Sequence, residues 1–272
     1  MSAQDDAKKL VDDFEKRTST FWTTLSRADI AADLRVRIDN PDKINQGETS
    51  LCGPADFVRD VAEDNPVEYA RAVIELYETG RTRIGTLDLK PCHDLRAHAL
   101  PVHHQIADGD WIILATLRDD DNWWFDYQSQ SNDLAAITMP HTMEKWLKAG
   151  GYTDIISDTN IIACKDLPNA LRANKLYSKG YKVTLFINAW MLDADHMCDA
   201  STFPDHWVAL TTAMSIHSIN VSNPGALTED KNSTVEFEVY TWGDHKSVPV
   251  GSKPMTDYCF LCNYYGFIAC RR

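Results

Sequence analysis

The chain has 272 residues, 44% of them hydrophobic, which is enough for one large domain or two small ones around a substantial core. Forty acidic side chains against 27 basic ones give a formal charge of −13 with no Lys/Arg cluster, so nucleic acid and anionic membrane are poor partners. No segment approaches 18 uninterrupted apolar residues, so no membrane insertion is expected.

Residues 1–17 are charged and amphipathic, without the apolar run of a secretory signal. Apolar positions Leu10, Val11 and Phe14, then Phe21, Trp22, Leu25, Ile30, Ala31 and Leu34, recur at helical spacing and predict two amphipathic helices over the first 35 residues. Residues 39–50, with Pro41 and a polar run, predict an ordered loop. A helix is expected to start at or just after Cys52, with Pro54 near its first position and Phe57, Val58 and Val61 on one stripe. Residues 66–80 predict a further helix ending at Gly80 as C-cap.

Residues 110–118 and 142–151 are helical in pattern, with loop material between them. After Gly180 the chain turns toward β: residues 182–192, 206–216, 234–243 and 264–272 carry β-branched and aromatic side chains at strand length. Residues 217–233 are rich in turn formers and read as the connection of an antiparallel hairpin. The layout is α+β, helical first and sheet last.

A cysteine in the first turn of a helix meets the positive end of the macrodipole and unpaired backbone N–H groups, which favour its thiolate. Beside an imidazole it becomes an ion-paired nucleophile able to attack a carbonyl, and the imidazolium then protonates the leaving group. The oxyanion needs donors, which the Cys52 N–H and the amide of Gln46, six residues upstream, can supply. Among nine histidines, His206 is favoured because it opens a strand and precedes an apolar run; His196, near Cys198 in an irregular segment, is its main rival.

The run Gln46-Gly47-Glu48-Thr49-Ser50-Leu51-Cys52-Gly53-Pro54-Ala55 resembles the active-site segment of papain-like cysteine peptidases, especially the bacterial branch in which Cys-Gly-Pro-Ala opens the central helix. The resemblance implies Cys52 as nucleophile, Gln46 in the oxyanion hole, and His206 at the start of a late strand, with Trp242-Gly243 closing the next strand. It covers about ten residues round Cys52 and, by pattern, the two late strands; most of residues 60–180 carries none.

The third catalytic member departs from the family's asparagine or aspartate. Counting back from Trp242-Gly243 gives Tyr240, whereas the alternation Val235, Phe237, Val239 continues to Thr241 and makes its hydroxyl the first choice. Asp244 is a third option if the chain turns back.

The fold so implied is a single papain-like α+β domain over residues 1–272. It would comprise a helical extension (1–36), a mainly helical lobe with the nucleophile (37–180) and a mainly β lobe with the histidine (181–272), the cleft lying between helices and sheet. The activity implied is peptide-bond hydrolysis through a Cys52 thioester, on a polypeptide substrate and without cofactor. Bacterial chains of this look resemble toxin effectors, which implies a cognate inhibitor or immunity protein and delivery by a dedicated secretion system. Glutamine deamidation, transglutamination and peptidoglycan amidase activity use the same machinery, and a catalytically decayed binding module is the non-enzymatic alternative.

The seven cysteines (Cys52, Cys92, Cys164, Cys198, Cys259, Cys262, Cys270) are odd in number and scattered, which predicts reduced thiols in a protein cytoplasmic as made. Cys259 and Cys262 form half a zinc motif, but Cys92-His93 has the wrong spacing to complete it, so buried thiols are expected. Trp123-Trp124 is an aromatic pair that serves either a ligand or the core, and Asn188 and Trp190 are expected near His206 by sheet adjacency.

Overall fold

A computed structural model describes residues 2–93, 95, 106–121, 137–217 and 233–272. Trp123-Trp124 and residues 218–232 of the expected hairpin connection lie outside them. The described residues are mixed α+β, with eight α-helices and antiparallel sheets. No described helix is long and apolar enough to cross a membrane. Two compact units are distinguished: residues 1–151 with Trp242–Asp244 and Arg272, and residues 152–241 with 245–271.

The first unit is helical, and its helix ends follow local chemistry. Helix α1 (Ala3–Glu15) opens on a capping box in which Ser2 Oγ accepts from Asp5 N and the Asp5 carboxylate accepts from Ser2 N. Helix α2 (Arg27–Asp39) is capped by Ser26. Helix α3 (Cys52–Asp64) is followed at once by α4 (Pro66–Thr79), with Asn65 as the hinge and Pro66 at the first helical position. Gly80 ends α4 in the left-handed region, as a C-cap glycine does. A short hairpin of β1 (Thr82–Ile84) and β2 (Leu87–Leu89), then α5 (Asp108–Asp121) and α6 (Pro140–Ala149), complete the unit. Phe14 meets Tyr77 edge-on and Phe57 meets Trp146, so buried aromatic rings join α1 to α4 and α3 to α6.

The second unit is built on one antiparallel sheet. Its strands are β3 (Thr153–Thr159), β4 (Lys182–Ile187), β5 (His206–Leu210), β6 (Ser215–His217), β7 (Thr234–Thr241), β8 (Asp244–Val248) and β9 (Tyr264–Arg271). Their order is β3-β9-β4-β5-β7-β6, with β8 also on β7. Helix α7 (Leu167–Tyr177) and the short α8 (Asp257–Leu261) bury Leu167, Ala170, Ala173 and Phe260 against Val183, Leu185, Val208, Val235, Val239 and Phe267. Phe186 and Trp207 are register partners on β4 and β5 and stack with ring centroids 4.1 Å apart.

Several features differ from the sequence expectation. The second helix begins only at Arg27, so Phe21, Trp22 and Leu25 precede it, and the strand expected over 206–216 divides into β5 and β6. Residues 153–177 belong to the sheet unit, because β3 pairs with β9 and α7 packs on the same core. Strand β4 stops at Ile187 because the Asn188 side chain caps a 3-10 turn over Ala189–Leu192. The expectation of seven reduced thiols fails at Cys198 and Cys259, which form a disulfide across 61 residues of sequence. The short helix α8 carries Cys259 beside the β4–β5 connection, a proximity that cysteine spacing does not encode.

Candidate active site

In the first unit Cys52 is the first residue of α3 and 3% exposed. The N-cap residue is Leu51, which makes no side-chain cap hydrogen bond, and the first turn contains no acidic residue. The positive end of the α3 macrodipole therefore lies at Cys52 with no acidic side chain in the first turn.

The loop before α3 has its own hydrogen bonds. Gln46 is 4% exposed; its Nε2 donates to Thr49 O at 3.1 Å, and Thr49 Oγ1 donates back to Gln46 O at 2.7 Å. Gly47 N donates to Asn45 Oδ1, and Gly47 sits at φ +59°, a conformation that favours glycine. Asn45 N donates to Asp110 Oδ2 at 2.9 Å, and Asp110 takes a bidentate grip from Arg37 at 2.9 and 2.7 Å. Burial raises the Asp110 carboxyl to about 6 even though Arg37 and the Asn45 N–H favour its charged form. Arg37 itself stays protonated, since its hydrogen bonds and the charge of Asp110 outweigh desolvation.

Gly53, next to the thiol, faces Thr138 at very close range. A Cβ built on Gly53 would lie 2.6 Å from Thr138 Cβ and Oγ1. Gly53→Ala is therefore expected to lower stability by about 1–3 kcal/mol through overpacking at the start of α3. Urea denaturation of the variant checks this, and an unchanged midpoint would refute the close approach.

In the second unit His206 opens β5 and is 4% exposed. Strand alternation puts it on the face of Val208 and Leu210, and puts Thr241 on the face of Val235, Phe237 and Val239. Antiparallel pairing of β5 with β7 brings these faces together, and His206 Nε2 lies 2.7 Å from Thr241 Oγ1. Desolvation pushes the imidazole down from 6.5 to about 3, so the ring is neutral at physiological pH. This differs from the resting imidazolium of the sequence reading: burial of the ring disfavours the charged form.

The alternatives for the third member fall elsewhere. Tyr240 is the register partner of Ala209 and points to the other face of β7. Asp244 has its side chain 73% exposed and 3.7 Å from Lys43 Nζ. Trp242 (φ +51°) and Gly243 (φ +73°) are the two-residue turn between β7 and β8, a hairpin in which both central residues take left-handed backbone. The rival His196 is exposed, with Nδ1 3.0 Å from Asp199 Oδ2 and its ring beside Trp190. Hydrogen bonding to Asp199 raises its pKa.

Sequence reasoning missed two groups that fasten the connection leading into His206. The Asp205 carboxylate accepts from Ala189 N at 2.6 Å and from Asn188 Nδ2 at 3.4 Å, and Asp205 N donates to Ile187 O. Asn263, fully buried, donates from Nδ2 to Met197 O and Asp199 O. An asparagine between a cysteine and an aromatic run carries no signal of such a role. The metal reading of Cys259 and Cys262 is weakened by the disulfide, which takes up the Cys259 sulfur, and the described residues hold no cluster of three or more potential ligands. Cys92 is exposed, and its backbone N donates to Asp119 Oδ2.

No family model, curated protein or solved structure matches the chain.

Proposed function

We propose that the protein is a papain-like cysteine hydrolase in which Cys52 and His206 act together on an amide carbonyl. The observation that carries this reading is the His206–Thr241 contact at 2.7 Å on a buried strand pair. With Nε2–H donating to the Thr241 hydroxyl oxygen, the tautomer of the neutral ring is set. In this mechanism the ring takes the Cys52 proton as sulfur attacks, a thioester forms, and the imidazolium protonates the leaving amine. Water then hydrolyses the thioester under general-base catalysis by the same ring. The Cys52 N–H and the Gln46 amide stabilise the oxyanion.

The leading substrate is a polypeptide, and the leading biological role is that of a bacterial toxin effector held in check by a cognate immunity protein. Comparison of protein termini in cell extract treated, without added reductant, with the wild type or Cys52→Ala tests it. New termini that depend on Cys52 are the expected result; their absence, with a one-dalton gain on glutamine, points to deamidation instead.

Burial favours one rival, a decayed binding module: Cys52 and His206 are only 3% and 4% exposed. Iodoacetamide at neutral pH separates the two. Alkylation of Cys52 faster than of the other thiols supports an active nucleophile, and alkylation no faster supports decay.

A further inference from the structure

The connection between β4 and β5, residues 188–205, ends one residue before His206 and contains little regular structure beyond the turn Ala189–Leu192. It is nevertheless tied at several points to one short stretch, residues 259–265. Cys198 is bonded to Cys259 through the disulfide. Asn263 Nδ2 donates to Met197 O at 3.0 Å and to Asp199 O at 3.2 Å, on either side of Cys198. Ser201 Oγ donates to Cys262 O at 2.9 Å. At the start of the connection Asn188 N donates to Asn263 O at 2.9 Å. The Asn188 side chain reaches across to Phe203 O and Asp205, so both ends of the connection are fastened together immediately before the histidine.

We propose that Cys198, Cys259 and Asn263 are positioning residues for His206, and that the disulfide makes this positioning dependent on redox state. Oxidised, the brace seats the connection so that Asp205 and His206 enter the sheet in the register that meets Thr241. A dithiol reductant opens it: the reductant's two thiols become its own disulfide, the Cys198–Cys259 bond breaks, and each cysteine gains a hydrogen. Asn263 then holds Met197 and Asp199 through two neutral hydrogen bonds, with Ser201 Oγ on Cys262 O beyond them, and without the covalent link the His206 ring loses its fixed relation to the Thr241 hydroxyl. The part played by His206 in catalysis rests on the function proposed above, whereas the brace itself does not. Full function is accordingly expected where thiol pairs are oxidised, and attenuation in a reducing cytosol.

The test uses the full chain and readouts independent of turnover. Non-reducing peptide mapping first identifies the pair; seven thiols in protein purified without reductant would overturn the proposal. Amide hydrogen exchange is then compared among oxidised wild type, wild type in a phosphine reductant, and Cys198→Ser/Cys259→Ser. Exchange across residues 188–206 is expected to accelerate by about tenfold or more on opening, with 182–187 and 264–271 unchanged as internal controls. In parallel, nitrogen NMR of the His206 ring is expected to shift from a single tautomer toward a mixture. Reduction of the folded wild type keeps the test decisive if the serine variant does not fold. Unchanged exchange overturns the brace; faster exchange with an unchanged ring signal overturns its role in positioning. Absence of hydrolysis by the oxidised protein sinks the catalytic reading and leaves the brace to these two measurements.

Discussion

Under the proposed mechanism, replacing His206 by alanine is expected to lower kcat/KM on a cleaved peptide by on the order of 10⁴-fold, because removing one member of a nucleophile–base pair abolishes the activation that both supply. Thr241→Val is expected to cost about 10-fold to 100-fold, since the ring keeps its base but loses the hydroxyl that selects its tautomer. Equal activities for His206→Ala and wild type would end the proposed mechanism. His206 also leaves a mark on stability. Its folded pKa is depressed from 6.5 to about 3 by desolvation, so the neutral ring's contribution is fully present above pH 6.5 and is lost as pH falls toward 3. Urea denaturation of the wild type is expected to show an added slope of up to about 1.4 kcal/mol per pH unit in that window, absent from His206→Gln.

Arg37→Met is expected to destabilise the first unit by about 3–5 kcal/mol at pH 7.5, because it strands a carboxylate in a site with no solvent access. Arg37 is 8% exposed and Asp110 fully buried, and the pair is bidentate. The only other hydrogen-bond donor to Asp110 that the described side-chain contacts supply is the Asn45 N–H. The sign of the pH dependence follows from the carboxyl. Its folded pKa, near 6, lies above the ordinary 3.8, so its favourable contribution is complete below the lower value and is lost as pH rises through the higher one. Without the guanidinium the folded value rises further, so the loss on mutation must be larger at pH 7.5 than at pH 5. Denaturant midpoints at the two pH values measure this; a loss below about 1 kcal/mol, or the same loss at both, would refute a buried pair of this kind. Since Asn45 precedes Gln46, the same variant is expected to loosen the loop before α3.

The early helices were legible because their determinants are local. Asn65-Pro66 starts α4 by a side-chain cap and a preset φ, and Gly80 ends it by a backbone conformation that few other residues tolerate. The β-rich runs at 182, 206, 234 and 264 were legible for the same reason. Strand β3 was not: its residues are exposed or half-buried at a sheet edge, and only pairing with β9 makes residues 153–159 a strand. Helix α7 follows Asp166-Leu167-Pro168, a start signal that the mixed composition of the middle of the chain obscured.

The chemistry divides in the same way. The sequence by itself determined that Cys52 heads a helix, that Gly53 and Pro54 follow it, and that Val235, Phe237, Val239 and Thr241 share a strand face, since each depends on backbone periodicity over a few residues. Only the tertiary structure decided that Thr241 meets His206, that Arg37 grips Asp110, and that Cys198 bonds Cys259. These pairs lie tens of residues apart, and what brings them together is strand register and helix packing, energies summed over the whole core that no short window of sequence contains.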